Sequence, residues 1–302
     1  MISIVKAVLD YKPPNPALNF PDDLGLLPVA VLGWSVLHFI LFYCVFTYIA
    51  DLFFPKSKTT AVKSLKGKVL TNDQQRHKLY IACWKFTHFL ILAIVGVCIV
   101  AKEDWTFSIP KYFENYPNQP MSYLMKIYFN MQIGGYIYAC LLIPFEPKQN
   151  KRDILALVVH HAVTITLIWL AYTQSFQRSG TIVAVLHDIS DPIMEFAKII
   201  LYAGYNKLAD AIFALFALSF IVTRNFIFPY TLVEMEKYCR WPDNSYIPTN
   251  NILIFMQGLF LTLELLHIYW GYLIVQMAFK AYADNGVSDD IRNVDGKKKK
   301  VQ

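Results

Sequence analysis

The chain has 302 residues, 56% of them hydrophobic and 16% aromatic, with a mean hydropathy of +0.37 and a formal net charge of +6. A soluble globule is excluded because the apolar residues fall in runs of about 20, the length a helix needs to cross about 30 Å of hydrocarbon. A disulfide framework is excluded as well: of the five cysteines, Cys44, Cys83, Cys98 and Cys140 lie inside such runs and leave Cys239 alone outside.

Seven apolar spans are predicted, at residues 27–50, 79–101, 121–145, 153–173, 179–203, 208–232 and 250–281. The first starts late and has no small-residue cleavage signature, so it is expected to be a retained helix. The loop 51–78 that follows is basic and too short for an inserted folded domain. Outside the spans, 17 Lys and Arg residues fall on one side (the loop 51–78, Lys148, Lys151, Arg152, Lys207 and the C-terminal tail) and 7 on the other. The positive-inside bias therefore predicts a cytosolic C-terminus, and the odd span count a lumenal N-terminus. Lys299 and Lys300, fourth and third from the end, have the arrangement of a cytosolic retrieval signal for the endoplasmic reticulum; attraction of the basic tail to anionic lipid is the plainer alternative.

Ionisable side chains concentrate in two spans. Span five carries His187, Asp188, Asp191, Glu195 and Lys198. Its three acids cost about 9 kcal/mol on insertion scales, so this helix cannot face lipid all round. The spacings of three and four put these residues on one helical face, and Pro192 should bend the helix in their midst. Span four offers His160, His161 and Thr164, at a depth comparable with the acids. Joined to span five by a short lumenal turn, it is expected to be its antiparallel neighbour, so that both sets border one cavity reached from the cytosolic side. His38, His88 and His267 read as interhelical hydrogen-bonders; Glu264 with His267, and Arg224 with an acid of span five, read as structural pairs.

The sequence His160-His161-Ala162-Val163-Thr164, then Tyr172, Arg178-Ser179-Gly180-Thr181, Leu186-His187-Asp188-Ile189-Ser190-Asp191, Glu195, Ala197-Lys198 and Tyr202-Ala203, closely resembles the signature motif of the ceramide synthases, a TLC-domain family. Trp84-Lys85-Phe86, Val222-Thr223-Arg224, Phe228-Pro229-Tyr230, Leu266-His267 and Tyr272-Leu273-Ile274 extend the likeness over about residues 75–285. Pro192 and Ser175, the latter where asparagine is common, depart from the pattern. The resemblance implies an all-α polytopic membrane protein of seven transmembrane helices, with helices 2–7 forming a six-helix TLC-type barrel. The expected organisation is an N-terminal segment (1–78), a catalytic domain (79–283) and a cytosolic tail (284–302). It also implies transfer of a fatty acyl group from acyl-CoA to the amine of a sphingoid base, with acyl-CoA as co-substrate, no metal or other cofactor, and no nucleic-acid partner. A homodimer or a small accessory subunit is left open, and acyl length is expected to depend on residues of about 233–249.

In that framework the candidate catalytic residues are His160, His161, His187, Asp188 and Asp191. His160 either takes the acyl group as an acyl-imidazole or acts as base towards the amine. His161 polarises the acyl carbonyl, the aspartates orient the histidines and receive the amine, and His187 relays protons. Thr164, Arg178, Glu195 and Lys198 are candidate substrate-binding residues. Lys148, Lys151 and Arg152 are candidates for the CoA phosphates or, alternatively, set topology. Two other functions use the same residue types: a metal-dependent membrane lipid hydrolase, and a non-enzymatic lipid-transfer or helper protein of the same superfamily.

Overall fold

The computed structural model describes residues 22–54, 62–63, 69–70, 72–146, 150–239 and 250–283. Lys148, residues 240–249 of the segment expected to govern acyl length, and the lysine-rich tail lie outside them. Helix α1 (Asp22–Leu41) runs through a π-helical turn (Phe42–Phe46) into α2 (Thr47–Phe53). A minimal antiparallel ladder, β1 (Val62–Lys63) with β2 (Val69–Leu70), is the one departure from all-α structure among the described residues. Then come α3 (Asn72–Val100), the short α4 (Ile109–Phe113), α5 (Tyr123–Leu142) and α6 (Lys151–Thr173). Span five is two helices, α7 (Gln177–Asp188) and α8 (Ser190–Tyr202). Span six is α9 (Asn206–Phe220), a π-helical turn (Ile221–Ile227) and α10 (Phe228–Cys239); the last span is α11 (Asn250–Ala283).

Every predicted span coincides with helix, and five helices among the described residues are long and apolar enough to cross a membrane: Gly25–Phe53, Asp73–Val100, Lys151–Thr173, Asn206–Tyr238 and Ile252–Ala281. The other two spans fall short for a physical reason. Helix α5 carries Lys126, Asn130 and Gln132, and α7 and α8 are only 12 and 13 residues long, with the acidic set between them. Their polar side chains are covered by neighbours: Asn130, Gln132, His187, Asp188 and Glu195 are all buried.

The distribution of polarity is inverted relative to a water-soluble fold. Leu32, Phe39 and Tyr48 of the first span and Phe255, Leu261 and Phe279 of α11 are exposed, whereas His267, Gln132 and Gln177 are almost completely enclosed. An apolar exterior of this extent suits hydrocarbon, and an interior of this polarity suits a cavity. The protein is a multi-pass membrane protein.

Close approaches lock the helices around the polar interior. Helix α3 packs along α7 and α8, α1 against α5, and α6 against both α5 and α11. At Gly96 a Cβ would stand 2.7 Å from Val185 and 2.8 Å from the Tyr128 hydroxyl, so only glycine lets α3 seat against α5 and α7. At Gly134 it would meet the Ala30 Cβ at 2.9 Å, which fixes the approach of α1. Trp34 Nε1 donates to the Met131 carbonyl (3.0 Å), and Lys126 reaches Asp23 at 3.1 Å along the same seam.

Candidate active site

Helix α6 carries His160 and His161 to the interior, both buried. The His160 ring stands edge-on to Trp270 (centroids 5.1 Å apart) and Tyr136 (6.0 Å), and its Nδ1 is buried without a hydrogen-bond partner. His161 is engaged through Nδ1, 3.3 Å from Cys140 Sγ. Of the adjacent pair, His160 thus keeps its Nδ1 unpaired while His161 has its Nδ1 engaged, in keeping with the roughly 100° that separates neighbours around a helix.

The helix interruption at Ile189 divides the acidic set. Above it, Asp191 accepts from Arg224 Nη2 at 2.5 Å, and the same nitrogen donates to the His187 carbonyl at 2.8 Å. Arg224 sits in the π-helical turn, whose wider winding aims its side chain across at α7 and α8. Below it, Asp188 accepts from the Tyr128 hydroxyl (2.7 Å) and from Gln132 Nε2, both from α5. His187 Nδ1 faces the Val183 carbonyl at 2.6 Å and its Nε2 faces His267 Nε2 at 3.1 Å. A carbonyl only accepts, so His187 carries its proton on Nδ1, and with both rings neutral His267 donates from Nε2 to His187 Nε2.

Two cavities result where the sequence predicts one. The first, about 260 Å³, is walled by His160, His161, Asp191, Glu195, Lys198 and Arg224. At one end it carries Lys78, an ion pair between Lys85 and Glu146 (2.6 Å), and Asp153, which accepts from the Tyr269 hydroxyl at 2.7 Å. The second, about 440 Å³ and mostly apolar, is bordered by Thr164, His187, Asp188 and Glu264. Tyr136 borders both. Residues four apart share a face but differ by about 6 Å along the axis, so Thr164 falls below His160 and His187 below Asp191. Among the described residues no three His, Cys, Asp or Glu side chains are grouped to hold a metal ion.

A family model described as the TLC domain matches residues 78–276, and the similarity to individual proteins extends further. The chain is 32% identical to ASC1-like protein 3 of Oryza sativa subsp. japonica over 292 residues, which is 92% of this chain and 98% of that protein. It is 30% identical to ceramide synthase LOH1 of Arabidopsis thaliana over 288 residues, 91% and 92% of the two chains. The chain belongs to the ceramide synthase family of TLC-domain proteins. Its similarity to human ceramide synthase 5 is 35% over 210 residues, 70% of this chain, and spans about half (52%) of that longer relative.

Within this ceramide synthase fold the predicted site residues divide. His160, His161, Asp191, Glu195 and Lys198 share the first cavity, with Lys198 paired to Glu195 at 2.8 Å; Thr164, His187 and Asp188 share the second. Neither aspartate hydrogen-bonds a histidine, because Arg224 takes one and Tyr128 with Gln132 takes the other. Arg178 lines neither cavity: its guanidinium donates to the Lys111 carbonyl at 2.6 Å, bracing the short helix α4. Lys151 and Arg152 are exposed on the first turn of α6 and also line neither cavity, whereas Lys78, Lys85 and Lys198 do border the first. His267, read as structural, is the direct partner of His187. Tyr136, Tyr128 and Gln132 were not singled out in the sequence, although their spacing of four placed them all on one face of α5.

Proposed function

We propose that this chain is a ceramide synthase in activity as well as descent: it joins the acyl group of a fatty acyl-CoA to the amine of a sphingoid base, forming an amide and releasing the CoA thiol. Family membership supports the reading, and one observation carries it: the buried imidazole of His160, its Nδ1 unpaired, in the wall of a helix-enclosed cavity that Asp191 and Glu195 also line. An imidazole there attacks the thioester carbonyl, the C–S bond breaks, and the acyl-imidazole is consumed by the neutral amine, whose proton leaves through the histidine. Asp191, neutralised by Arg224, and Asp188, held by two neutral donors, fix the local field along which the amine approaches. His161 stands beside the carbonyl as a polarising group. Lys78, Lys85 and Lys198 stand in the wall of the first cavity as cations for the CoA phosphates, Lys85 and Lys198 exchanging Glu146 and Glu195 for them. No metal or other cofactor enters this scheme.

In the same reading the chain crosses the membrane seven times, the helices from α3 onward forming a six-helix barrel. It resides in the endoplasmic reticulum with its N-terminus lumenal and its C-terminus cytosolic, so that acyl-CoA enters from the cytosol.

The test is incubation of purified protein with mixed acyl-CoAs and a sphingoid base, with products and protein mass read together by mass spectrometry. N-acylated base, and an acyl adduct on the peptide holding His160 when the base is withheld, are the expected results. Normal turnover by His160→Ala rejects the scheme.

A further inference from the structure

The wall of the second cavity holds two buried oxygens that the protein leaves unpaired. Glu264 Oε2 and Thr164 Oγ1 have no hydrogen-bond partner, and both residues line this cavity. The nearest cationic candidate for Glu264 is His267, whose Nδ1 lies 3.5 Å from Oε2. That nitrogen cannot serve while the rings are neutral. His187 must donate from Nδ1 to the Val183 carbonyl, so its Nε2 takes the proton of His267 Nε2, and His267 is left with a bare lone pair on Nδ1 facing the carboxylate. Its Nδ1 is likewise without a partner. Two acceptors thus stand 3.5 Å apart on one face of α11 at the wall of an apolar chamber, an arrangement that costs free energy until a proton or a donor group reaches them.

The surrounding wall says what kind of molecule brings that donor. Leu167, Ile168, Leu232, Met256 and Phe260 are among the apolar side chains that form most of the chamber's surface, which suits an alkyl chain. Thr164 lies one turn, about 6 Å, along α6 from His160, so the donor sits close to the reacting end. We propose that the second cavity is a subsite for an alkyl chain carrying a hydroxyl near its reacting end, the hydroxyl donating to Glu264 and accepting from Thr164. This rests on the acyltransfer reading above, in which two substrates are able to bring such a group: the sphingoid base through its own hydroxyls, or an acyl chain hydroxylated near its carbonyl.

The experiment uses full-length protein in detergent and two matched pairs, a sphingoid base with its 1-deoxy analogue and an acyl-CoA with its 2-hydroxy analogue. Equilibrium binding of each lipid is measured beside its turnover in competition. Wild-type protein is expected to prefer the hydroxylated member of one pair by about tenfold, the range of a hydrogen bond to a carboxylate. That pair identifies the source. Glu264→Leu and, independently, Thr164→Val should bring the ratio close to one for that pair, while Glu264→Gln, which keeps an acceptor, should retain part of it. Equal binding of both members of both pairs by wild-type protein, or ratios unchanged in both variants, overturns the proposal. Because binding is read separately, preferential binding without amide formation would reject the acyltransferase reading and leave the subsite standing.

Discussion

Arg224 is buried, pairs with Asp191 and also holds the His187 carbonyl, so a single guanidinium ties the two halves of span five together. Removing one member of a buried ion pair leaves an uncompensated charge and costs about 3–5 kcal/mol. Arg224→Leu should therefore lower the thermal midpoint sharply in detergent, and Arg224→Leu with Asp191→Leu should recover much of the loss in stability while staying inactive. A stability loss that simply adds across the two substitutions would deny the coupling. At Asp188 the donors are neutral, so Tyr128→Phe removes one hydrogen bond. It should cost about 1–3 kcal/mol and reduce turnover, with acylation and amide formation followed separately in single-turnover measurements. The residues on α6, α7 and α8 were readable in the sequence because ionisable groups inside apolar spans announce themselves. Their partners were not, because spacing fixes the face of a helix and says nothing about which side chain of another helix stands opposite. His267 illustrates this: one histidine in an apolar span has no special pattern, and only the packing of α11 brings it to His187.

At the scale of the elements, span positions were legible from hydropathy to within about seven residues at either end, and Pro192 foretold the break that appears at Ile189. The two π-helical turns were not legible, since widening by one residue per turn leaves hydropathy unchanged. Pro192→Ala restores a backbone donor for the Asp188 carbonyl, so it should join α7 to α8, raise the thermal midpoint and lower turnover by displacing Asp191 from Arg224. An unchanged midpoint with unchanged turnover would count against that account. The connection between α6 and α7 holds a second strained point. Ser175 has φ +66°, is fully buried, and its Oγ has no partner. The left-handed region penalises a side chain by about 1–2 kcal/mol, and asparagine tolerates it better than serine. Ser175→Gly should stabilise by about 1 kcal/mol, read as a higher unfolding midpoint without change in substrate preference.

For the whole molecule, the inverted polarity was foreseeable from composition, but the division of the interior into two chambers was not, because Tyr136, which borders both, stands between helices distant in sequence. Orientation makes a direct prediction: glycan-acceptor tags should be modified at the N-terminus and stay bare at the C-terminus in microsomes, and the opposite pattern would invert the proposed route of acyl-CoA entry. The seam of the first helix has a wider consequence. The TLC-domain match begins at residue 78, yet Lys126 within it is largely covered and is neutralised by Asp23 ahead of it. A truncated version starting at the matched region would strand an ammonium ion and bare the glycine-lined flank of α5 to lipid. The smallest autonomous folding unit is therefore expected to be larger than the TLC-domain match, and co-expressing residues 1–54 as a separate peptide should rescue a version that lacks them.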